Sequence, residues 1–229
     1  MCTEYFVDNS HLQTYKCCST SPIDGKSAMS GARNARTPEQ LHEEILQAAF
    51  SRFSQYGYGK TTMAEIAGDC QMSAANVYRF FASKQDIGVA LTFQCLGEKE
   101  QRLREVIQRP GINASERLLA FVLELFDYVH EQFDLQPRVN ELIEAMAAER
   151  MEVIKAHTDQ LRALLVVILE QGRDTGEFDI ADVTAAAEAV MAATKMFHTP
   201  YFLTWYKKAE FVHLARSVVD LLIRGLARR

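Results

Sequence analysis

Two histidines in the C-terminal half of the chain are the side chains best suited to polar ligand chemistry. His157 and His198 each offer two ring nitrogens, and Glu141 and Glu144 lie near them in sequence. Such groups could hydrogen-bond a small molecule or coordinate a metal ion. Because lone histidines near helix ends more often serve the structure, we predict no metal site here.

The sequence lacks the motifs that commonly carry catalysis. We find no Ser/His/Asp string, no glycine-rich phosphate loop and no H-E-x-x-H. The five cysteines are odd in number and lack C-x-x-C spacing, which predicts neither a disulfide framework nor zinc and favours a reducing compartment. We therefore predict a protein that is not an enzyme and needs no cofactor. A cluster of His157, His198 and a carboxylate in an open cleft would reverse this prediction.

Composition places the chain among ordinary globular proteins. It has 229 residues, of which 48% are hydrophobic and 24% charged, with a net charge of -5. This balance excludes a largely disordered chain. No apolar run reaches the ~18 residues of a membrane-spanning helix, so we predict no membrane partner. The acidic balance gives no overall indication of nucleic-acid binding.

The N-terminal segment shows neither helical nor strand periodicity. We predict that residues 1–36 form a disordered extension and a basic arm, and that residues 1–28 are dispensable because the natural start is Met29. The adjacent Cys17 and Cys18 are the pair that could sense redox state, but no neighbouring base or metal ligand supports this.

Helix start and stop signals divide the rest of the chain into about nine helices. The first four begin at capping residues: Thr37 with Gln40, Thr62 with Glu65, Ser73, and Ser83 with Asp86. The first ends at Gly57 and the fourth runs to about Arg109. Later helices are predicted to open at Asn113 with an apolar face that reaches Val129, to run from 137 to about 155, to cover 161–169 and end at Gly172 to Gly176, and to span 182–198 and 208 to about 226. No segment has a convincing strand period, so the predicted fold class is all-α.

Residues 62–80 combine two short helices and a tight connection, set on a longer first helix. This arrangement is a helix-turn-helix. Because a helix fits the major groove of DNA, the second short helix can present its N-terminal side chains to base edges. The small residue Ala67 suits the helix crossing, and four apolar residues would bury the unit: Ile66, Met72, Val77 and Phe81.

Residues 57–67 and 73–87 resemble the TetR/AcrR family of bacterial transcriptional regulators. The resemblance covers roughly residues 40–90 and includes Thr61-Thr62, Ile66-Ala67, Tyr78-x-x-Phe81 and Ser83-Lys84. It implies a helix-turn-helix DNA-binding domain over residues 37–84 and a helical ligand-binding and dimerisation domain over residues 85–229. One departure is the turn, where the family usually has glycine and this chain has Gln71. A positive φ at Gln71 would cost about 1 kcal/mol.

The same resemblance implies the residues that contact double-stranded DNA. Thr62, Tyr78, Lys84 and Arg79 would hold phosphates, with a base edge as second choice for Arg79. Ser73, Ala74, Ala75 and Asn76 would face bases, and Arg33 and Arg36 would enter a minor groove. Acidic and basic side chains balance over residues 29–88, so we expect modest non-specific affinity and a shallow salt dependence.

The resemblance also implies a homodimer formed by the last two helices. The predicted interface residues are Val183, Ala187, Val190, Phe211, Leu214, Val218 and Leu222. The alternative is that these stripes only complete the core of one chain. The other C-terminal helices would enclose a small-molecule effector, with predicted lining residues Phe121, Phe126, Met146, His157, Met191, Phe197, His198 and Trp205.

The sequence therefore predicts a ligand-responsive transcriptional regulator of the bacterial cytoplasm and nucleoid. We expect a repressor that binds a palindromic operator as a dimer and leaves it when a small molecule binds. The alternative is a TetR-like architectural or protein-interaction factor without a small-molecule inducer.

Overall fold

The computed structural model describes residues 36–135 and 137–227, and the regular structure of these two ranges is helical. The helices are α1 (Pro38–Tyr56), α2 (Met63–Asp69), α3 (Ala74–Val77), α4 (Lys84–Ile107), α5 (Ala114–Leu135), α6 (Pro137–Glu149), α7 (Met151–Asp174), α8 (Val183–Thr194), α9 (Pro200–Leu203) and α10 (Lys208–Leu226), with a 3-10 turn at Lys195–His198. The described ranges contain no strand, and the all-α prediction is confirmed. No helix in them is long and apolar enough to cross a membrane. The predicted N-terminal extension and Arg33 lie outside the described residues.

Local capping fixes the first helix starts where the sequence predicted them. The Thr37 hydroxyl accepts a hydrogen bond from the Gln40 backbone N–H at 3.3 Å, and the Gln40 side chain accepts one from the Thr37 N–H at 2.9 Å. Ser83 likewise accepts from the Asp86 N–H at 3.1 Å. These bonds satisfy N–H groups that have no partner inside the helix, so the starts depend only on nearby sequence.

The boundary between α6 and α7 differs from the prediction. The break falls at Arg150, rather than between residues 155 and 161. Arg150 has φ -139° and ψ 62° and makes no side-chain cap. Its guanidinium pairs with Glu152 at 2.5 Å and with Asp86 at 3.7 Å. Because neither proline nor glycine marks this position, the sequence carried no local signal for the break.

Two further differences lie near Pro200. The predicted helix over residues 182–198 is α-helical only to Thr194 and continues as the 3-10 turn. Pro200, which was predicted only to break a helix, also begins the four-residue helix α9. Proline suits the first turn of a helix because it has no N–H to leave unbonded, and α9 brings the described α-helices to ten rather than about nine.

The apolar side chains form two clusters. The N-terminal cluster joins α1, α2, α3 and the first half of α4, and it includes Leu142 and Met146 from α6. The C-terminal cluster joins the second half of α4 with α5, α7, α8 and α10. Helix α4 thus contributes to both clusters.

Helix α6 closes the N-terminal cluster from outside the helix-turn-helix. Leu142 and Met146 are fully buried there. Gln85 donates to the Glu149 carboxylate at 2.8 Å, and Arg138 donates to the Tyr56 carbonyl at 3.4 Å. A Cβ at Gly88 would lie 3.1 Å from the Met146 sulfur and 3.1 Å from the Tyr58 ring, so glycine allows the close approach of α4 and α6 at this point. The helix-turn-helix therefore packs against a helix of the C-terminal half.

Candidate functional sites

The predicted helix-turn-helix is present. Ile66 and Val77 are completely buried, and Ala67 lies at the helix crossing with 1% of its surface exposed. Helix α3 is α-helical only over four residues, and the chain continues through turns to Phe80. Its first turn is set by Ser73, whose hydroxyl accepts from the Asn76 N–H at 3.2 Å. The unit thus presents the beginning of α3 on a rigid apolar base.

The turn adopts its usual geometry without glycine. Gln71 has φ 53°, in the left-handed region that glycine prefers. Two backbone hydrogen bonds hold it: the Gln71 N–H donates to Gly68 at 3.0 Å and the Met72 N–H donates to Ala67 at 2.9 Å. The expected strain of about 1 kcal/mol is therefore stored in this turn.

Five of the predicted DNA contacts lie around one open groove of about 510 Å³ at the start of α3. They are Arg36, Ser73, Ala75, Asn76 and Arg79, and Gln71 and Met72 complete the lining. Tyr78 lies on the next turn, with 51% of its surface exposed. Ala74 is half-buried and is not among the residues that line the groove. The sequence predicted only a backbone role for Gln71 in the turn, so its place in the groove was missed.

Internal bonds to glutamates already engage Thr62 and Arg36 among the predicted contacts. The Thr62 hydroxyl and backbone N–H both donate to the Glu65 carboxylate, each at 2.8 Å. These bonds lower the pKa of Glu65 and keep it anionic. Arg36 pairs with Glu44 at 2.5 Å. A phosphate reaching Thr62 must therefore replace or share the donors that serve Glu65.

Lys84 holds the loop between α1 and α2. Its ammonium donates to the Tyr58 carbonyl at 2.8 Å and lies 4.5 Å from the centre of the Tyr58 ring. Burial lowers the pKa of Lys84. Sequence reasoning assigned Lys84 only to phosphate binding, because its partner lies 26 residues away.

The predicted effector-lining residues occupy different surroundings. Phe121, Phe126 and Phe197 are fully buried in the C-terminal cluster, and Met191 is buried at its edge. Met146 instead belongs to the N-terminal cluster. Trp205 is 58% exposed and contacts Tyr201 and Phe202.

The two predicted histidines belong to a buried polar group. We call His157, His198, Lys99 and Glu100 the interior polar group. The His157 Nδ1 atom lies 2.8 Å from the Glu100 carboxylate. Burial lowers the pKa of both histidines and brings the pKa of Lys99 down to about 8. Sequence reasoning missed Lys99 and Glu100, since helical spacing alone gives no sign of their distant partners.

The predicted dimer residues lie deeper than the sequence suggested. Val183, Ala187, Val190 and Phe211 are already buried in the C-terminal cluster of a single chain, whereas Leu214, Val218 and Leu222 are half-buried at its edge. The outward-facing apolar residues include Ala185, Ala189, Ala192 and Ala193 on α8 and Ala209 and Leu221 on α10. A wide apolar stripe contains both inward and outward positions, and the sequence did not separate them.

A helix-turn-helix followed by a helical C-terminal region defines the fold of a DNA-binding regulator. Residues 45–91 match the family described as bacterial regulatory proteins, tetR family, and residues 114–219 match the tetracyclin repressor-like C-terminal domain. The chain therefore belongs to the TetR family of transcriptional regulators.

Individual relatives are distant and are themselves regulators. The chain is 23% identical over 188 residues to the fatty acid metabolism regulator protein of Bacillus subtilis (strain 168), covering 80% of this chain and 94% of the relative. It is 26% identical over 136 residues to the transcriptional repressor KstR2 of Mycobacterium tuberculosis (strain ATCC 25618 / H37Rv), covering 59% and 68%. At the level of the family, these relationships indicate a regulator rather than an enzyme.

Solved structures share the fold. A putative transcriptional regulator from Pseudomonas aeruginosa PAO1 superposes with a TM-score of 0.65 at 19% identity, covering 82% of this chain and 93% of the other. FadR from Bacillus subtilis in complex with stearoyl-CoA superposes with a TM-score of 0.53 at 22% identity, covering 81% and 99%.

Proposed function

We propose that this protein is a cytoplasmic transcriptional repressor that binds a palindromic operator as a homodimer and is released by a small-molecule effector. The observation that carries the proposal is the groove at the start of α3. There Arg36, Ser73, Asn76 and Arg79 converge on an exposed face. Arginine and asparagine side chains suit phosphates and base edges, and the surface is open enough for a duplex to approach.

A second copy would provide the second recognition helix. The outward apolar positions on α8 and α10 offer a surface for helix packing, and the alanines let two backbones approach closely. Paired recognition helices lengthen the operator and increase affinity relative to a single half-site.

Helices α4 and α6 would carry the response to the effector. Helix α4 runs from the N-terminal cluster into the C-terminal cluster, and α6 contributes Leu142 and Met146 to the N-terminal cluster. A molecule that shifts these helices changes the separation of the two recognition helices in the dimer. For release, it must bind the DNA-incompetent state more tightly by about 1–3 kcal/mol.

The proposal is tested by selecting binding sites from random-sequence DNA with the purified full chain. We expect enrichment of an inverted repeat whose half-sites are spaced by about one helical turn. Arg79→Ala should weaken binding to the selected site, whereas Gln101→Ala, at an exposed position on α4, should not. Failure to enrich any sequence would contradict operator recognition.

A further inference from the structure

The interior polar group brings three basic side chains together inside the helical bundle. Lys99 lies on α4, His157 on α7 and His198 on the 3-10 turn. They are 6%, 7% and 8% exposed. The charge of Lys99 lowers the pKa of both histidines, His157 also lowers that of His198, and Lys195 lowers the pKa of all three groups. The carboxylate that opposes these charges is Glu100.

The polar atoms of this group are incompletely satisfied. In the described part of the chain, neither His157 Nε2 nor His198 Nε2 has a hydrogen-bond partner. No acceptor within the same residues bonds the Lys99 ammonium, and Glu100 is shared between His157 and Arg104. Buried polar groups without partners cost free energy, so their accumulation in one place points to a ligand that supplies the missing bonds.

The arrangement defines the polar part of that ligand. A carboxylate accepts hydrogen bonds only, so Glu100 selects the tautomer of His157 with the proton on Nδ1. In the neutral ring Nε2 is then an acceptor, and it can donate to an anion only when the ring is protonated. A bound anion would accept from Lys99 and favour protonation of the histidines. Because Glu100 lies in the same group, one negative charge is accommodated better than two.

The surroundings define the rest of the ligand. Leu96 and Leu103 are buried on α4, one turn to either side of Lys99. Leu161 is buried one turn after His157, and Phe197 precedes His198. The buried neighbours of the interior polar group along each of its elements are therefore hydrocarbon side chains.

We propose that Lys99, His157 and His198 bind the carboxylate of a monoanionic organic acid whose remaining body is apolar. This assignment rests on the proposed function, because it gives the chemical class of the effector. The acid supplies the anion that the buried ammonium lacks, and its apolar body remains within the C-terminal helices.

Isothermal calorimetry on the full chain tests the assignment with straight-chain carboxylates from hexanoate to tetradecanoate and with the primary alcohols of equal length. We expect at least one acid to bind with a Kd about tenfold below that of its alcohol, because only the acid pairs with Lys99. If no acid in the series binds, or if the alcohols bind as tightly as the acids, the assignment is wrong.

Variants locate the carboxylate. Lys99→Met keeps the length of the side chain but removes its charge, and it should make acid and alcohol bind equally. Lys99→Arg should keep the preference for acid. Lys155→Met, the same change at an exposed position on α7, should behave as the wild type. If Lys99→Met does not fold, His157→Gln is the second test and should weaken acid binding without changing alcohol binding. A preference for acid that survives the removal of both groups overturns the site.

The acids that bind are then added to the complex of the protein with its selected operator. Release of DNA supports both proposals. Binding of acid without release of DNA leaves the carboxylate site standing and contradicts its role as the effector site. Sequence-specific DNA binding without any binding of acid leaves the proposed repressor function standing and contradicts the carboxylate site.

Discussion

Gln71 holds the turn of the helix-turn-helix in a backbone conformation that glycine adopts without strain. Gln71→Gly should raise the free energy of unfolding by about 0.5–1 kcal/mol, since the relief of strain exceeds the added freedom of the unfolded chain. Urea denaturation measures this change. Gln71→Ala keeps the positive φ and should bring no gain. An equal gain in the alanine variant would assign the effect to the lost side chain instead.

Lys99 makes stability depend on pH in the alkaline range. Its pKa falls from 10.5 to about 8 in the folded chain because of burial and the nearby charge of Lys195, opposed by Glu100. The unfolded state then binds more protons between these values, so the free energy of unfolding rises as pH rises from about 8 toward 10.5. The pKa values of His157 and His198 are lowered from 6.5, so both histidines are neutral throughout this alkaline range.

Comparison with Lys99→Met isolates this contribution. Urea denaturation at about pH 7.5 and about pH 9.5 should show a rise in the wild type, on the order of 1–3 kcal/mol, that the variant lacks. The difference between the two proteins removes the contributions of other alkaline groups, such as Tyr58 and Cys70, whose pKa values burial raises. Parallel profiles for the two proteins would contradict the depressed pKa of Lys99.

Tyr78 and Lys84 should separate DNA contact from folding. Tyr78 is exposed, so Tyr78→Ala should weaken operator binding and leave the free energy of unfolding within about 0.5 kcal/mol of the wild type. Lys84→Met should cost roughly 1 kcal/mol of stability, because it removes the bond to the Tyr58 carbonyl. Denaturation and binding isotherms at several salt concentrations measure both effects. An unchanged salt slope in the Lys84 variant would exclude a direct phosphate contact.

At the scale of elements, two helical glycines should respond oppositely to alanine. A methyl group at Gly172 would overlap the buried Phe178 ring, so Gly172→Ala should destabilise the protein by about 1–3 kcal/mol. Gly97 on α4 has open space around the same position, and Gly97→Ala should stabilise the helix by about 0.5–1 kcal/mol. Urea denaturation compares the two variants directly. Destabilisation of similar size at both positions would contradict the open space beside Gly97 on α4, and no loss at Gly172 would contradict its contact with Phe178.

The sequence predicted elements best where their determinants are local. Thr37 with Gln40 and Ser83 with Asp86 lie within one helical turn, and their caps form where expected. The break at Arg150 was missed because it has no proline or glycine, and its partner Asp86 lies on a distant helix. Lys84 and the interior polar group depend on contacts between helices. Such contacts are set by tertiary packing and leave no periodic pattern in the sequence.

At the scale of the whole molecule, the outward face of α8 and α10 should decide the oligomeric state. Leu221 is 68% exposed on α10, and Leu221→Glu would place a charge in the proposed interface. We expect a dimer for the wild type and a shift toward monomer for the variant in sedimentation equilibrium. Gln101→Glu adds the same charge on α4 and should leave the dimer intact. A dimer that tolerates Leu221→Glu would place the interface elsewhere.

The burial of Leu142 and Met146 against α1 and α4 determines which parts of this protein can be transplanted. Consider a hybrid regulator that takes residues 37–84 from this chain and the remainder from a distant relative. The buried side chains of its helix-turn-helix would then pack against the relative's side chains instead of Leu142 and Met146. The segments that must be exchanged together are therefore discontinuous in sequence: the helix-turn-helix, the first half of α4, and the inward face of α6. Exchanging these segments together keeps the contacts of the N-terminal cluster, whereas a single splice after the helix-turn-helix separates residues that pack in that one cluster.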